Sequence, residues 1–155
     1  MSANTFRKDE PPEHTRFAAY LQALEQVADP EELDLVAMVL TDPDQAMAQS
    51  VIARHLDRRA ANLCPGPAYE QWARSMTEAT ARHPFLAQRL REWSLFRVIS
   101  LGQPWGVDAL IASSDWLQRK ITVSLEAADA LAVLAGHGRT KRIRNAAEAN
   151  LRSRG

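Results

Sequence analysis

Apolar residues recur every three or four positions along most of the chain, a spacing that is typical of amphipathic helices. The first stripe predicts a helix over about 13–28. Its apolar members are Phe17, Tyr20, Leu21, Leu24 and Val27. No segment alternates apolar and polar residues for long enough to favour a strand with a partner.

Two acidic stretches indicate further helix starts. The sequence "DPEE", which begins at Asp29, supplies a capping aspartate, a proline at the first helical position and a glutamate at N3. "DPDQ", which begins at Asp42, repeats the pattern thirteen residues later. We therefore expect a short helix over about 30–41 and a longer one over about 43–62, packed as a tight hairpin.

Proline and glycine divide the rest of the chain into shorter helical segments. A fourth helix follows "CPGP", and a fifth begins at Pro84 and ends in turns that are apolar on all sides, which indicates burial. The run "KITVS" at 120–124 is interpreted as the end of a helix. The last four helices are predicted over about 106–113, 115–122, 125–136 and 140–153. The predicted fold class is all-α, a compact stack of about eight or nine helices.

Length and composition are those of one globular domain: 155 residues, of which 46% are apolar and 25% charged. We expect residues 1–12 to be disordered and 13–155 to form a single all-α domain. The single cysteine, Cys64, allows no internal disulfide and favours a reducing compartment. Because no apolar run reaches the roughly 18 residues of a membrane helix, a cytoplasmic protein without a membrane partner is predicted.

The zero net charge conceals an asymmetry. Residues 1–50 have a balance of −7, residues 51–100 of +4 and residues 101–155 of +3. Such a dipolar chain would suit self-association or docking on a charged partner.

Short paired helices prompt a search for repeats, and a loose one occurs. The pattern "IRNAA" at 143–147 has an apolar residue, an arginine and an alanine in the slots "V-R-x-x-A". "QRKIT" at 118–122 and "MAQSV" at 47–51 match less well. These segments resemble the second helices of HEAT-like and leucine-rich-repeat-variant α-solenoids. The resemblance covers mainly residues 30–62 and 106–153, and it implies stacked helical hairpins with an interaction surface.

Motifs of nucleotide binding, nucleophilic catalysis and local metal binding are missing from the sequence. No catalytic, cofactor or metal residue is therefore predicted, and an enzyme is not favoured. The cluster "HLDRR", which begins at His55, is interpreted as a solvated helix face on which Asp57 balances Arg58. Cys64 is interpreted as a semi-buried apolar residue.

The basic C-terminal helix is the strongest candidate for binding. Its apolar face, which includes Ile143, Ala147 and Leu151, predicts docking on the body of the protein. Cations nevertheless crowd its N-terminal end, where the helix dipole disfavours them. An anionic partner is thus predicted for a patch of six residues: Arg119, Lys120, Arg139, Lys141, Arg142 and Arg144.

Three functions follow, in order of preference. The first is a non-enzymatic helical-repeat adaptor that binds an unknown protein or associates with itself. The second is a HEAT-like protein that binds nucleic acid through the six-residue patch. The third is an enzyme similar to HEAT-like DNA glycosylases, in which Asp115 and Trp116 would be the residues to suspect.

Overall fold

The computed structural model describes residues 13–153, apart from the side chain of Glu13. Every regular element in this range is an α-helix, which confirms the predicted all-α class. The helices are α1 (Glu13–Gln26), α2 (Asp29–Val39), α3 (Gln45–Leu63), α4 (Ala68–Ala79), α5 (Pro84–Ser100), α6 (Val107–Ile111), α7 (Asp115–Ser124), α8 (Ala128–His137) and α9 (Lys141–Arg152). "KITVS" lies at the end of α7, as predicted. The segment 1–12 lies outside the described residues.

The chain divides into two compact units, Met1–Leu90 and Arg91–Gly155. The boundary falls inside α5, so one continuous helix contributes to both. The single domain over 13–155 therefore stays a prediction.

In the first unit, α1 packs on α3 and α2 packs on α4. The side chains of Val36, Val51, Ile52 and Leu56 are fully buried, and Tyr69 and Met76 of α4 nearly so. Cys64 directly follows α3 and is buried as well, so its prediction as a semi-buried apolar residue understates its burial.

In the second unit, α8 and α9 form a closely packed hairpin that contacts α7. Gly138 lies between the two helices, and a Cβ on it would approach the Leu134 carbonyl oxygen and the Ile143 side chain to less than 3 Å. The core comprises Ile99, Leu110, Leu117, Ile121, Ala130, Leu131, Leu134, Ile143 and Ala147.

The helix starts at "DPEE" and "DPDQ" differ from those predicted. Asp29 lies inside α2 and does not cap it, because Ala28 is the N-cap residue and has no capping side chain. Asp44, not Asp42, caps α3 by accepting a bond from the Met47 N–H at 3.0 Å. Asp42 is buried instead, where its carboxylate accepts bonds from the Asp44 N–H, the Tyr20 hydroxyl and Arg16. Together these donors lower the pKa of Asp42.

The end of α5 is less buried than its apolar turns predict. Trp93 and Ile99 are buried, but Leu101 is half-exposed, and Gly102 after it has the left-handed φ of 70° that is common where a helix ends. Within residues 13–153, no helix combines the length and apolar character needed to cross a membrane.

Candidate functional site

A buried carboxylate joins three helices of the first unit. Glu32 of α2 is only 4% exposed, and its Oε2 atom accepts bonds from His55 Nε2 at 2.6 Å, Arg59 Nε at 3.0 Å and Trp72 Nε1 at 3.1 Å. Its Oε1 atom accepts a bond from Arg59 Nη2 at 3.1 Å. His55 and Arg59 come from α3 and Trp72 from α4. We call these four residues the Glu32 network.

The bonds of His55 define its tautomer. Arg58 can only donate, and its Nη2 atom lies 3.0 Å from His55 Nδ1. This contact fits Nδ1 as the acceptor and the ring proton on Nε2, from which the ring donates to Glu32.

The Glu32 network keeps a buried carboxylate ionised. Burial by itself would raise the pKa of Glu32, but the hydrogen bonds from His55, Arg59 and Trp72 outweigh that effect and lower the pKa to about 2. Arg59 supplies the neutralising charge.

The interpretation of "HLDRR" as a solvated helix face is wrong. His55 is 2% exposed, and Asp57 pairs with Arg89 at 2.8 Å rather than balancing Arg58. One signal was available in the sequence: Glu32 shares its helix face with Val36 and Val39, the buried face of α2. Its partners lie 23 to 40 residues away in the sequence, and helical periodicity predicts nothing about contacts at that separation.

A groove of about 410 Å³ opens beside the Glu32 network, with α2 and α4 as its walls. Arg59, Trp72 and Glu32 contribute to its inner surface. Its apolar lining consists of Pro30, Leu33, Leu63, Ala68 and Met76, and its remaining polar lining of Asp29, Gln71 and Ser75. The Asp29 side chain at the rim is 85% exposed. The hydrogen bonds of the network thus connect α2, α3 and α4 at one wall of an amphipathic groove.

In the second unit, four of the six predicted patch cations already have partners. Asp115 pairs with Arg139 at 2.9 Å and with Arg119 at 3.8 Å. Lys120 Nζ lies 4.8 Å from the centre of the Trp93 ring. Arg144 donates to the Gly138 carbonyl at 2.8 Å.

Lys141 and Arg142 differ from the other four cations. Both are exposed and form no ion pair with any residue in the range 13–153. They lie in the first turn of α9, where each exposed cation costs about 0.3–1 kcal/mol against the helix dipole.

The glycosylase candidates Asp115 and Trp116 lie in α7, on a shallow depression. Asp115 is engaged by Arg139 and Arg119, and the Trp116 ring packs edge-on against Trp93 at 5.6 Å. Both side chains therefore have structural contacts.

Gln118 is a buried residue whose role the sequence did not reveal. Its Nε2 atom donates to the Leu110 carbonyl at 3.0 Å, and its Oε1 atom accepts the Arg139 N–H at 2.8 Å. The side chain thereby ties the turn before α7 to the loop before α9.

Among the described residues, no group of three or more His, Cys, Asp or Glu side chains is arranged to hold a metal ion. Comparison of the chain with protein-family models, characterised proteins and solved structures found no match. The candidate surfaces are therefore the groove beside the Glu32 network and the exposed cations of α9.

Proposed function

We propose that this protein is a non-enzymatic helical-repeat module that binds another protein through the groove between α2 and α4. The groove carries the proposal, because it combines an apolar lining with a charged rim and a wall held by an ionised, buried carboxylate. Leu33, a half-exposed leucine at its edge, offers the kind of apolar contact that a partner would cover.

The chemistry of the groove defines the partner segment. Arg59 bonds to Glu32 and also reaches Asp29 at 3.4 Å, but the Asp29 carboxylate is 85% exposed and can accept a further bond from a partner. A segment with an apolar anchor residue next to a lysine or arginine would fill the groove and pair with the rim.

We further propose that the helices pair as in HEAT-like repeats. The two apolar slots of the best-matching segment, Ile143 and Ala147, are buried, and Met47 and Val51 are buried in the corresponding segment of α3. Gln118, in the weaker match, is also buried and uses its side chain to tie two turns together.

A selection from a random peptide library tests the groove. Peptides selected on the wild-type protein should share an apolar residue beside a basic one, and Leu33→Arg should weaken their binding at least tenfold. Val107→Arg, which alters a similarly exposed apolar residue in the second unit, serves as the control and should bind the peptides normally. Selected peptides that bind Leu33→Arg as well as wild type would contradict the proposal.

Nucleic-acid binding is the second candidate, favoured by the exposed cations Lys141 and Arg142 at a helix end that disfavours them. Affinity for a random-sequence DNA or RNA oligonucleotide should then fall steeply with salt and be lost in a Lys141→Glu, Arg142→Glu variant. Failure to retard any oligonucleotide at about 50 mM salt would exclude this function.

A further inference from the structure

The outer face of α2 is acidic. Helix α2 contains four acidic residues and no basic one, and its face opposite the buried Val36 presents Glu31, Asp34 and Met38. Glu31 and Asp34 are exposed and form no ion pair with any residue that the structure describes. Met38, one turn after Asp34 on the same face, is half-exposed, which places an apolar residue beside the two carboxylates.

The outer face of α9 is its counterpart in charge. Opposite the buried Ile143 and Ala147 lie the exposed side chains of Lys141, Arg142 and Asn145 and, further along the helix, those of Glu148 and Arg152, which pair with each other at 3.5 Å. The first two are the unpaired cations described above. The two helices have similar lengths, 11 and 12 residues, so their outer faces can lie along one another.

The charges of the two units are also complementary. The unit Met1–Leu90 has a net charge of −4 and the unit Arg91–Gly155 one of +4, although the whole chain is neutral. A second copy of the same chain therefore offers each face an oppositely charged surface, without the repulsion that a strongly charged chain would meet.

From these observations, we propose that the protein associates with itself through the outer face of α2 in one copy and the outer face of α9 in another. Because the two faces are different surfaces, the contact is heterologous and either closes reciprocally in a dimer or continues into longer assemblies. One helix on one helix makes a small interface, so the association is weak, in the micromolar range or above, and sensitive to salt. The contact does not involve the groove beside the Glu32 network, so it stands apart from the proposed partner binding.

Analytical ultracentrifugation of the full chain tests the proposal. At about 50 mM salt the average mass should rise with protein concentration, and at about 500 mM salt it should return to that of one chain. The double variant that combines Glu31→Lys with Asp34→Lys should remain monomeric. The double variant that combines Lys141→Glu with Arg142→Glu should remain monomeric as well. A variant that carries all four substitutions should associate again, because reversed charges on both faces attract as well.

A matched control separates the interface from net charge. Glu25→Lys, Glu78→Lys changes two exposed carboxylates of the first unit elsewhere and shifts the net charge as much as the α2 variant does. This control should associate like the wild type.

The results that overturn the proposal are specific. The first is that the wild-type protein stays monomeric at about 200 µM and about 50 mM salt. The second is that the Glu25→Lys, Glu78→Lys control loses association as readily as the α2 variant. Association that nuclease treatment abolishes would also overturn it and would assign the α9 face to nucleic acid.

Discussion

Glu32 is ionised inside the protein because four donor groups replace the water that its carboxylate loses on folding. The Nε2–H tautomer of His55 belongs to the same arrangement, since Arg58 occupies its other nitrogen. A proton added to Nδ1 would bring two donors face to face. The hydrogen-bond geometry therefore fits the ionised form of Glu32 and the Nε2–H tautomer of His55.

The pH dependence of stability should reveal this carboxylate. The pKa of Glu32 is about 2 in the folded protein, against an ordinary value of 4.5. Its stabilisation is therefore fully present above about pH 4.5 and is lost as the pH falls through about 2. Urea unfolding should show Glu32→Gln less stable than wild type by about 3 kcal/mol at pH 7, with the difference shrinking below about pH 4.5.

The neighbouring residue provides the control. Glu31 is exposed and forms no ion pair with any residue from 14 to 153, so Glu31→Gln should change the free energy of unfolding by less than about 0.5 kcal/mol. If the difference in free energy of unfolding between wild type and Glu32→Gln stayed constant from pH 7 to pH 2, that result would contradict an ionised Glu32 in the folded protein.

At the scale of elements, helical periodicity was enough to predict the all-α class and most helix positions. The repeating apolar stripe is a local signal, and the burial of Leu24, Leu90, Leu117 and Ile143 follows it. The helix starts were harder, because either aspartate of "DPD" could cap α3. Contacts with Arg16 and Tyr20, 26 and 22 residues away, decide that Asp42 is buried and that Asp44 becomes the cap.

The Glu32 network could not be predicted in the same way. Its members belong to three helices, and polar residues at helical spacing are usually exposed to solvent. Among the six patch residues, the position of Lys141 and Arg142 at a helix start could be predicted from the sequence. The ion pair between Arg139 and Asp115 could not be predicted, because it depends on how α7 packs beside the loop before α9.

The α8–α9 hairpin requires a glycine at position 138, because its neighbours leave no room for a side chain. A Cβ there would lie 2.7 Å from the Leu134 carbonyl oxygen and 2.8 Å from Ile143 Cγ2. Gly138→Ala should therefore lower the free energy of unfolding by about 1–3 kcal/mol. Gly136, two residues earlier in α8, has open space around it, so Gly136→Ala should be neutral or stabilising by up to about 1 kcal/mol. Urea unfolding of both variants measures these differences.

Gln118 offers a second test of element pairing. Leucine at this position would leave the Arg139 N–H without its acceptor, while the Leu110 carbonyl would keep the bonds that it accepts from Ser113. We expect Gln118→Leu to cost about 1–3 kcal/mol in urea unfolding, whereas Gln22→Leu on the exposed side of α1 should cost less than about 0.5 kcal/mol. Equal stability of the two variants would show that the Gln118 bonds contribute nothing net.

At the scale of the whole molecule, the two compact units have opposite net charges. The first unit has a net charge of −4 and the second of +4. A neutral sum therefore describes neither surface, and the protein should respond to charged matrices as a dipolar molecule.

Ion-exchange chromatography measures this directly. At pH 7 and about 20 mM salt, the wild-type protein should be retained on both anion and cation exchangers despite its zero formal charge. Lys141→Glu, Arg142→Glu should elute earlier from the cation exchanger and later from the anion exchanger. Passage of the wild type through both columns without retention would contradict the prediction.

The buried thiol of Cys64 can serve as a probe of local opening in the first unit. Its thiol is buried directly after α3, and it is the only cysteine in the chain. A thiol reagent can therefore react only when this part of the protein opens. Where reclosing is faster than labelling, the labelling rate would report the free energy of this opening, and binding of a partner in the nearby groove would slow it even where no mass or spectral change is visible.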